Sequence, residues 1–183
     1  MPPSLQGHLL VAAPELRDPN FYHTVVLLVQ HGQQGALGLV LNRPTEATLS
    51  GVWKQVSDAD CRRDDPMHIG GPVEGPLMAL HMLPAHSENE VLPGLHFCAS
   101  RENLEQLVLT GGEARFFAGF AGWGAGQLEG ELAEGAWRTV PASCRHVFSN
   151  SEALWEHALK EAAGSEVLGA LKIKHIPPDP SMN

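Results

Sequence analysis

The chain has 183 residues, of which 43% are hydrophobic and 18% are charged, and this composition excludes an intrinsically disordered protein. The length fits one domain with a substantial core, and we predict a single domain over residues 1–183. The formal net charge of −9 disfavours an extended nucleic-acid surface, because such a surface needs clustered Lys and Arg side chains.

Cysteine usage and the apolar runs indicate a compartment. The three cysteines, Cys61, Cys98 and Cys144, are odd in number and widely spaced, which favours free thiols in a reducing environment over a disulfide framework. We find no secretory signal pattern and no apolar run near the roughly 20 residues that span a bilayer. We therefore expect a cytoplasmic protein without membrane association.

The first part of the chain alternates short apolar runs with turn residues, a pattern that predicts strands. Thr24 to Val29 is β-branched and apolar throughout, so we expect it to be covered on both faces. A turn at 32–35 predicts that this strand pairs antiparallel with the next one. The predicted elements here are strands at 8–13, 24–29, 37–41, 67–73 and 76–82, and an amphipathic helix at 46–57.

The second part begins with a polar segment, 84–93, that predicts a loop. A helix over 101–109 is expected between a Ser100 cap and Gly111-Gly112. A short helix is also expected at 127–132. The predicted strands here are 95–98, 114–121, 136–140 and 145–148.

The C-terminal elements are predicted from one motif and one alternating pattern. Ser149 and Glu152 have capping-box spacing, so a helix is expected from there to 163, ended by Gly164. Residues 167–176 hint at a final edge strand, and 177–183 is predicted to be a tail. Antiparallel strands with helices between them indicate an α+β fold.

Several motifs, in this order along the chain, resemble those of the YqgE/AlgH family of bacterial proteins. They begin with the apolar start of the first predicted strand and end in a glycine-rich stretch. The matching segments are 8–12, 18–21, 35–44, 70–73, 80–81 and 122–129. The resemblance implies an α+β domain with a bifurcated, mostly antiparallel sheet folded into a pseudo-barrel with flanking helices. It implies no established reaction, ligand or cofactor, and some members carry a transcriptional-regulator label.

The chain departs from the usual family pattern at three places. Gln30-His31 stands where an acid usually precedes the histidine, and Cys98-Ala99 stands where hydroxyl residues are frequent. The chain also ends in Pro-Pro-Asp-Pro-Ser-Met-Asn, where many members end in Gly-His-Ala. Roles that rest on those family residues are therefore not carried over.

The stretch 116–132 is the strongest candidate for a functional centre. Glycines at 119, 122, 124 and 126 surround Trp123 and precede a predicted helix, which is the layout of a phosphate cradle. Three carboxylates in the first turns of that helix, Glu129, Glu131 and Glu134, argue against an anion there. Tight packing of the turn against the sheet is favoured. The remaining alternative is a neutral or cationic ligand, or a partner peptide, that contacts Gln127 and Glu129.

Other residues carry weaker signals. Cys98 lies just before a predicted helix start, where a thiol pKa can be lowered, but its apolar neighbours favour a structural cysteine. The ten histidines show no metal-ligand spacing, so we predict no metal and no cofactor.

Strand ends supply the rest of the predicted surface. A closed sheet would bring them near the glycine-rich stretch, although turn chemistry alone is the favoured explanation of these residues. The predicted candidate surface consists of Asn42, Arg43, Gly70, Gly71, Trp123, Gly124, Gly126, Gln127 and Glu129.

These observations favour a non-enzymatic binding or regulatory module that acts through protein contacts. The alternative is a thiol-dependent enzyme or a hydrolase that uses Cys98 or the Gln127/Glu129 pair. A direct transcriptional regulator is the weakest hypothesis, because the acidic charge opposes DNA binding. The partner is expected to be an unknown protein, and the chain a monomer or a weak homo-oligomer.

Overall fold

A computed structural model describes residues 3–170, and its strands form one curled sheet. The described chain contains ten strands: β1 (His8–Ala12), β2 (Val25–Gly32), β3 (Gly35–Val40), β4 (Pro44–Thr48), β5 (Pro66–Ile69), β6 (Val73–His81), β7 (Asn89–Leu92), β8 (Leu95–Cys98), β9 (Ala114–Gly124) and β10 (Trp137–Pro141). The α-helices are α1 (Leu49–Val52), α2 (Arg101–Thr110), α3 (Gln127–Ala133), α4 (Cys144–Phe148) and α5 (Leu154–Ala170). Short 3₁₀ turns occupy Trp53–Gln55, Pro84–His86 and Ser151–Ala153.

The sheet branches at β9, the long central strand. Its main path runs β10-β1-β2-β3-β9-β6-β8-β7, and β4 and β5 form a side branch. Residues 121–124 of β9 pair with β3, whereas residues 116–118 pair with β5 on one side and β6 on the other. The β5–β9 pairing is parallel and the others are antiparallel.

The branch point requires two backbones to lie unusually close together. Gly70 donates its N–H to the Ala118 carbonyl, and its own carbonyl accepts from Val40 N–H at 2.8 Å, so it bridges β9 and β3. The next residue, Gly71, lies directly on Phe120, where an added Cβ would fall 2.1 Å from the Phe120 carbonyl carbon. We call the contact between Gly70-Gly71 and 118–121 the fork of the sheet.

The sheet curls into a half-barrel. Asn89 of β7 donates from Nδ2 to the Val29 carbonyl at 3.0 Å, which draws the β7 edge back towards β2. Val29 is free to accept this bond because the β2–β3 register shifts between Leu28 and Gln30. The α+β fold with a bifurcated, mostly antiparallel sheet and flanking helices is thus confirmed.

Helices cover both faces of the sheet. The inner face, with Leu27 and Phe117 among its buried residues, is closed by Val147 of α4 and by Leu154 and Ala158 of α5. Two clusters bury the outer face: one lies under α3 and contains Val26, Trp123 and Trp137, and the other lies under α1 and α2. Alternate residues of β2 therefore enter different clusters, which confirms that this strand is covered on both faces.

Two predicted elements in the middle of the chain were wrong at their boundaries. The helix predicted over 46–57 begins only at Leu49, because 44–48 pairs with β5 and Thr48 then accepts a bond from Gly51 N–H. The loop predicted at 84–93 contains β7, which pairs with β8 across a turn at Gly94, where φ is +85°. The Pro-Gly turn signal at 93–94 was available in the sequence.

The C-terminal predictions also needed correction. The strand predicted at 145–148 is the helix α4, because Ser143 donates its N–H to His146 Nδ1 at 3.0 Å and starts a helical turn. The capping box predicted at Ser149 does not form, since the acceptor for Glu152 N–H is Asn150 Oδ1. Helix α5 runs through Gly164 to residue 170, so residues 167–170 are helical. The remainder of the predicted edge strand, 171–176, and the 177–183 tail lie outside the described residues.

Candidate functional site

The glycine-rich stretch is strand for most of its length. β9 continues to Gly124, so only Ala125 and Gly126 form a turn before α3, and the expected strand–turn–helix corner is shorter than predicted. Gly126 has φ of +77°, and Gly124 N–H donates to Gln127 Oε1 at 3.0 Å. Gly119, also at φ +77°, faces the Gly71 carbonyl at the fork. Positive φ at Gly119 and Gly126, and the close backbone approach at Gly119, explain why glycine occupies these two positions.

A carboxylate under this stretch joins two tryptophans. Glu131 Oε2 accepts from Trp123 Nε1 at 2.8 Å and from Trp137 Nε1 at 2.9 Å, while Phe21 stacks on Trp123. Trp123 is only 5% exposed, so its ring is part of the core. One acid thus ties α3 to β9 and β10.

We expect Glu131→Ala to lower the free energy of unfolding by about 3 kcal/mol, because both indole N–H groups lose a charged acceptor. Glu131→Gln keeps an acceptor oxygen, so its free energy of unfolding is expected to lie between those of the wild type and Glu131→Ala. Urea unfolding followed by tryptophan emission measures the change. Glu134→Ala, at an exposed position at the end of α3, is the control and should stay within about 0.5 kcal/mol of wild type. A Glu131→Ala protein as stable as the control would contradict this.

Glu129 pairs with a histidine from the first hairpin. Its Oε1 lies 2.7 Å from His31 Nε2, and this hydrogen bond lowers the pKa of the Glu129 carboxyl. His31 Nδ1 accepts from Leu5 N–H at 2.8 Å, so the neutral ring carries its proton on Nε2 and donates it to Glu129. A cavity of about 620 Å³ beside this pair is lined by Gln30, His31 and Trp123, among others.

Asn42 and Arg43 fasten a loop. Asn42 Nδ2 donates to the His23 carbonyl at 2.9 Å, and its Oδ1 accepts from Val25 N–H. Arg43 donates to the Asn20 carbonyl at 2.7 Å and to Pro19 at 3.1 Å. Burial lowers the pKa of the Arg43 guanidinium. These bonds hold the loop in which His23 takes a φ of +54°.

The predicted candidate surface is divided between separate regions. Asn42 lines a large cleft, whereas Trp123 lines the cavity beside His31. Gly70 and Gly71 lie in the fork, where they contact the backbone of β9. The exposed members of the predicted surface near α3 are Gly124, Gly126 and Gln127. A binding role for any of these residues stays a prediction.

A second cavity, a cleft, is one that the sequence did not predict. This cleft has a volume of about 910 Å³ and lies between β5 and β9 on one side and residues 148–156 on the other. Its polar lining includes Arg63, Asp65, His68 and Arg115, and its aromatic lining includes Trp155.

Strand register places two of these side chains together. His68 pairs with Phe117 across β5 and β9, so His68 lies on the same face as Arg115, two residues earlier in β9. Arg115 Nη1 lies 3.4 Å from His68 Nε2 and 3.3 Å from Ser151 Oγ, and Nη2 donates to the Ser149 carbonyl at 2.7 Å. Since guanidinium nitrogens only donate, His68 Nε2 is the acceptor and the neutral ring holds its proton on Nδ1.

Burial governs the charge of both groups. Burial first, and then the Arg115 cation, lower the pKa of His68 to about 4, so the ring is neutral at pH 7. Burial also lowers the pKa of the Arg115 guanidinium. No carboxylate oxygen lies within 4 Å of Arg115 among residues 3–170. By contrast, Arg63 in the same cleft is neutralised by Asp65 at 2.8 Å.

The signal for Arg115 was present in the sequence as one charged residue inside an apolar strand, and His68 stood out in the same way. Neither has a local motif, because Arg115 lies 47 positions from His68 and 36 positions from Ser151.

Comparison with known proteins decides the family. The model of the AlgH-like family, DUF179, matches residues 9–166. The chain belongs to the AlgH-like family. A UPF0301 protein of Chlorobaculum tepidum is 39% identical over 168 residues, covering 86% of this chain and 87% of that protein. A UPF0301 protein of Streptomyces coelicolor is 38% identical over 190 residues, covering 98% and 96%.

Two solved structures are similar to this AlgH-like chain. The solution structure of the AlgH protein from Pseudomonas aeruginosa has a TM-score of 0.75 and 33% identity, covering 97% of each chain. A crystal structure of a protein from Corynebacterium diphtheriae has a TM-score of 0.71 at 23% identity over 87% of each chain, which shows the fold alone. The family resemblance drawn from the motifs is confirmed.

Two kinds of feature, a group of metal ligands and a membrane-spanning helix, are absent from the described part of the AlgH-like chain. No group of three or more His, Cys, Asp or Glu side chains within residues 3–170 is placed to hold a metal ion. Within the same range, no helix has the length and hydropathy that a membrane crossing demands.

Cys98 is fully buried in β8, and burial raises the pKa of its thiol to about 12. We therefore expect Cys98 to be the last of the three cysteines to react with an aromatic disulfide reagent. Cys61 and Cys144, which are partly exposed, should react in the folded protein, and the third equivalent should appear only in denaturant. Mass spectrometry of the labelled peptides identifies the site. Labelling of Cys98 in the folded protein at a rate similar to the other two would contradict the burial argument.

Proposed function

We propose that this AlgH-like protein is a non-enzymatic binding module that acts through protein contacts, and that the cleft above β5 and β9 is its binding site. One observation carries this proposal: the partly buried Arg115 guanidinium lines the cleft with no carboxylate within 4 Å among the described residues. Buried charges in proteins are normally paired, so an unpaired one at a cavity wall favours a charged ligand. The volume also lies in the range of ligand pockets.

The same geometry speaks against the enzymatic alternative. His68 Nε2 is taken by Arg115, so it is not placed to accept a proton from Ser151. The Cys98 thiol is buried with a raised pKa. Gln127 and Glu129 are engaged with Gly124 and His31 respectively. A nucleophile activated by a neighbouring base, which hydrolytic and thiol chemistry require, is therefore not found among these candidates.

The charge and the thiols support a compartment and a class of partner for the binding module. We place the protein in the cytoplasm, since its three cysteines are free in the structure and a reducing compartment keeps them so. The net charge of −9 favours a protein partner over nucleic acid. We treat the chain as a monomer or a weak homo-oligomer that binds through the cleft.

Selection from a library of random peptides with free ends tests the module. Peptides enriched on the wild-type protein should lose binding to Arg115→Gln and should shift the indole N–H resonance of Trp155, which lines the cleft. Gln127→Ala, on the predicted surface near α3, is the comparison variant and should bind as wild type does. Thermal melting of each variant verifies folding. If the enriched peptides respond to Gln127→Ala and ignore Arg115→Gln, the binding site lies near α3 instead. An absence of any enriched peptide contradicts the module itself.

A further inference from the structure

We propose that the cleft binds the C-terminal carboxylate of a basic peptide segment, with Arg115 contacting the carboxylate and the acidic rim contacting Lys or Arg side chains. This inference rests on the proposed function and names the chemistry of its partner. Three parts of the cleft support it. The floor carries the donors of Arg115, the rim carries acidic side chains, and the wall between them is aromatic. The rim consists of Glu113, Glu152 and Glu156, and the wall of Phe148 and Trp155.

At the floor, the Arg115 guanidinium has N–H donors without acceptors in the described part of the chain. Arg115 donates to the Ser149 carbonyl, to Ser151 Oγ and to His68 Nε2, and all three acceptors are neutral. Its Nε–H and one N–H of Nη2 have no acceptor among residues 3–170. Two such donors match the two oxygens of a carboxylate, because guanidinium–carboxylate pairs are frequently bidentate.

His68 provides a second polar group at the floor of the cleft, next to Arg115. It is only 4% exposed, and its buried Nδ1 makes no hydrogen bond of normal geometry among residues 3–170, although the nearby Pro66 backbone raises the pKa of the ring against the effect of burial. Because the His68 ring is neutral at pH 7, the charge that a ligand meets at the floor of the cleft is that of Arg115.

The rim carries the opposite charge. Glu113, Glu152 and Glu156 line the cleft and are exposed, and none of them forms an ion pair within residues 3–170. A purely anionic ligand would be repelled by these carboxylates at the entrance. A ligand with an anionic end and cationic side chains satisfies both the floor and the rim.

The wall between them is aromatic and fixed. Trp155 donates from Nε1 to the Ala12 carbonyl at 2.8 Å and stacks on His23 with ring centroids 3.7 Å apart. Phe148 lines the same cleft. Such a wall accommodates the aliphatic part of Lys side chains, whose ammonium groups then reach the rim. The volume of about 910 Å³ suits the last few residues of a chain and is too small for a folded domain.

A pair of peptides that differ only at the carboxylate gives the direct test on the full-length protein. The probe is fluorescein-Gly-Ala-Lys-Ala-Lys-Leu, as the free acid and as the C-terminal amide, measured by fluorescence anisotropy. The amide is expected to bind at least about tenfold more weakly to the wild type. Arg115→Gln should weaken the free acid to a similar degree and remove most of the difference between the two peptides. Arg101→Gln removes an exposed charge elsewhere and should leave the difference intact.

The rim is tested with a second peptide in which both Lys residues are Gln. Neutralising Glu113, Glu152 and Glu156 to Gln should weaken the Lys peptide several-fold and leave the Gln peptide nearly unchanged. Added salt should act in the same direction, since exposed charges are screened.

Four results would overturn the inference. They are failure of the Lys free acid to bind at millimolar concentration, equal affinity for acid and amide, an acid preference that persists in Arg115→Gln, and equal affinity for Nα-acetyl-lysine, which would assign the cleft to small amino-carboxylates. If amidated or internal peptides bind to the cleft equally well, the binding module stands and only the carboxylate assignment fails.

Discussion

Gly71→Ala is expected to destabilise the protein by about 4 kcal/mol or more, or to prevent folding. An added Cβ would lie 2.1 Å from the Phe120 carbonyl carbon, 2.2 Å from its oxygen and 2.3 Å from Ala121 N. All three contacts are backbone atoms of β9, so no side chain can rotate to make room. Either the connection at 70–72 or β9 must move, and β9 is already paired with β3, β5 and β6 at the fork. The added methyl group would therefore disturb the pairing of β9 with both branches of the sheet.

Urea unfolding at pH 7 measures this effect. Gly130→Ala is the matched control, because Gly130 lies inside α3 and a Cβ there would have nothing within 4 Å. That change should raise the free energy of unfolding by about 0.5–1 kcal/mol, as Ala loses less backbone entropy than Gly in a helix. A Gly71→Ala protein within about 1 kcal/mol of wild type would show that the fork yields easily.

Lowering the pH from 6.5 to 4.5 is expected to reduce the free energy of unfolding by about 2–3 kcal/mol for each of two buried histidines. The pKa of His68 and that of His81 are both lowered from 6.5 to about 4, first by burial and then by neighbouring positive charges. Between those values the unfolded chain takes up protons on these rings and the folded protein does not. The unfolded state is therefore favoured as pH falls, and the effect vanishes above the unfolded pKa.

His81→Gln separates this effect from general acid denaturation. His81 is fully buried and its Nδ1 accepts from Leu83 N–H, a role that the Gln oxygen can take. The variant should lose about half of the histidine contribution to the slope of stability against pH. His157→Gln, at an exposed position on α5, should leave the slope unchanged. Equal stability of the wild type at pH 4.5 and 6.5 would contradict the prediction.

The fold was predictable where local patterns decide structure. The apolar run at 24–29 is continuous, and continuous runs of that length become strands covered on both faces, as β2 does. Prediction failed at 145–148, because four residues are too few to show a helical or strand periodicity. The hydrogen bond between Ser143 N–H and His146 Nδ1 favours a helix there. Prediction failed again at Gly164, since a glycine with open space around its Cβ position does not have to end a helix.

The candidate site was less accessible to sequence reasoning. The glycines of 116–132 were expected to need positive φ or close backbone approach. Gly119 and Gly126 have positive φ, and the close approach of Gly119 is to the protein's own backbone at 71, between β5 and β6. The cleft has no motif to find. Arg115 and His68 meet only through the parallel pairing of β5 with β9, and periodicity along one segment does not reveal pairing between two.

Strand β1 has a consequence for how the chain folds as it is made. Residues 8–12 pair with β2 on one side and with 137–141 on the other, and Ala12 also accepts a bond from Trp155. During synthesis one edge of β1 therefore stays open until residues 137–141 have left the ribosome. Contacts of such long sequence separation slow folding, and an unpaired apolar edge is a template for wrong pairing in the meantime. Truncation before residue 141 should consequently yield an aggregating chain, even though most of the sheet would already be present.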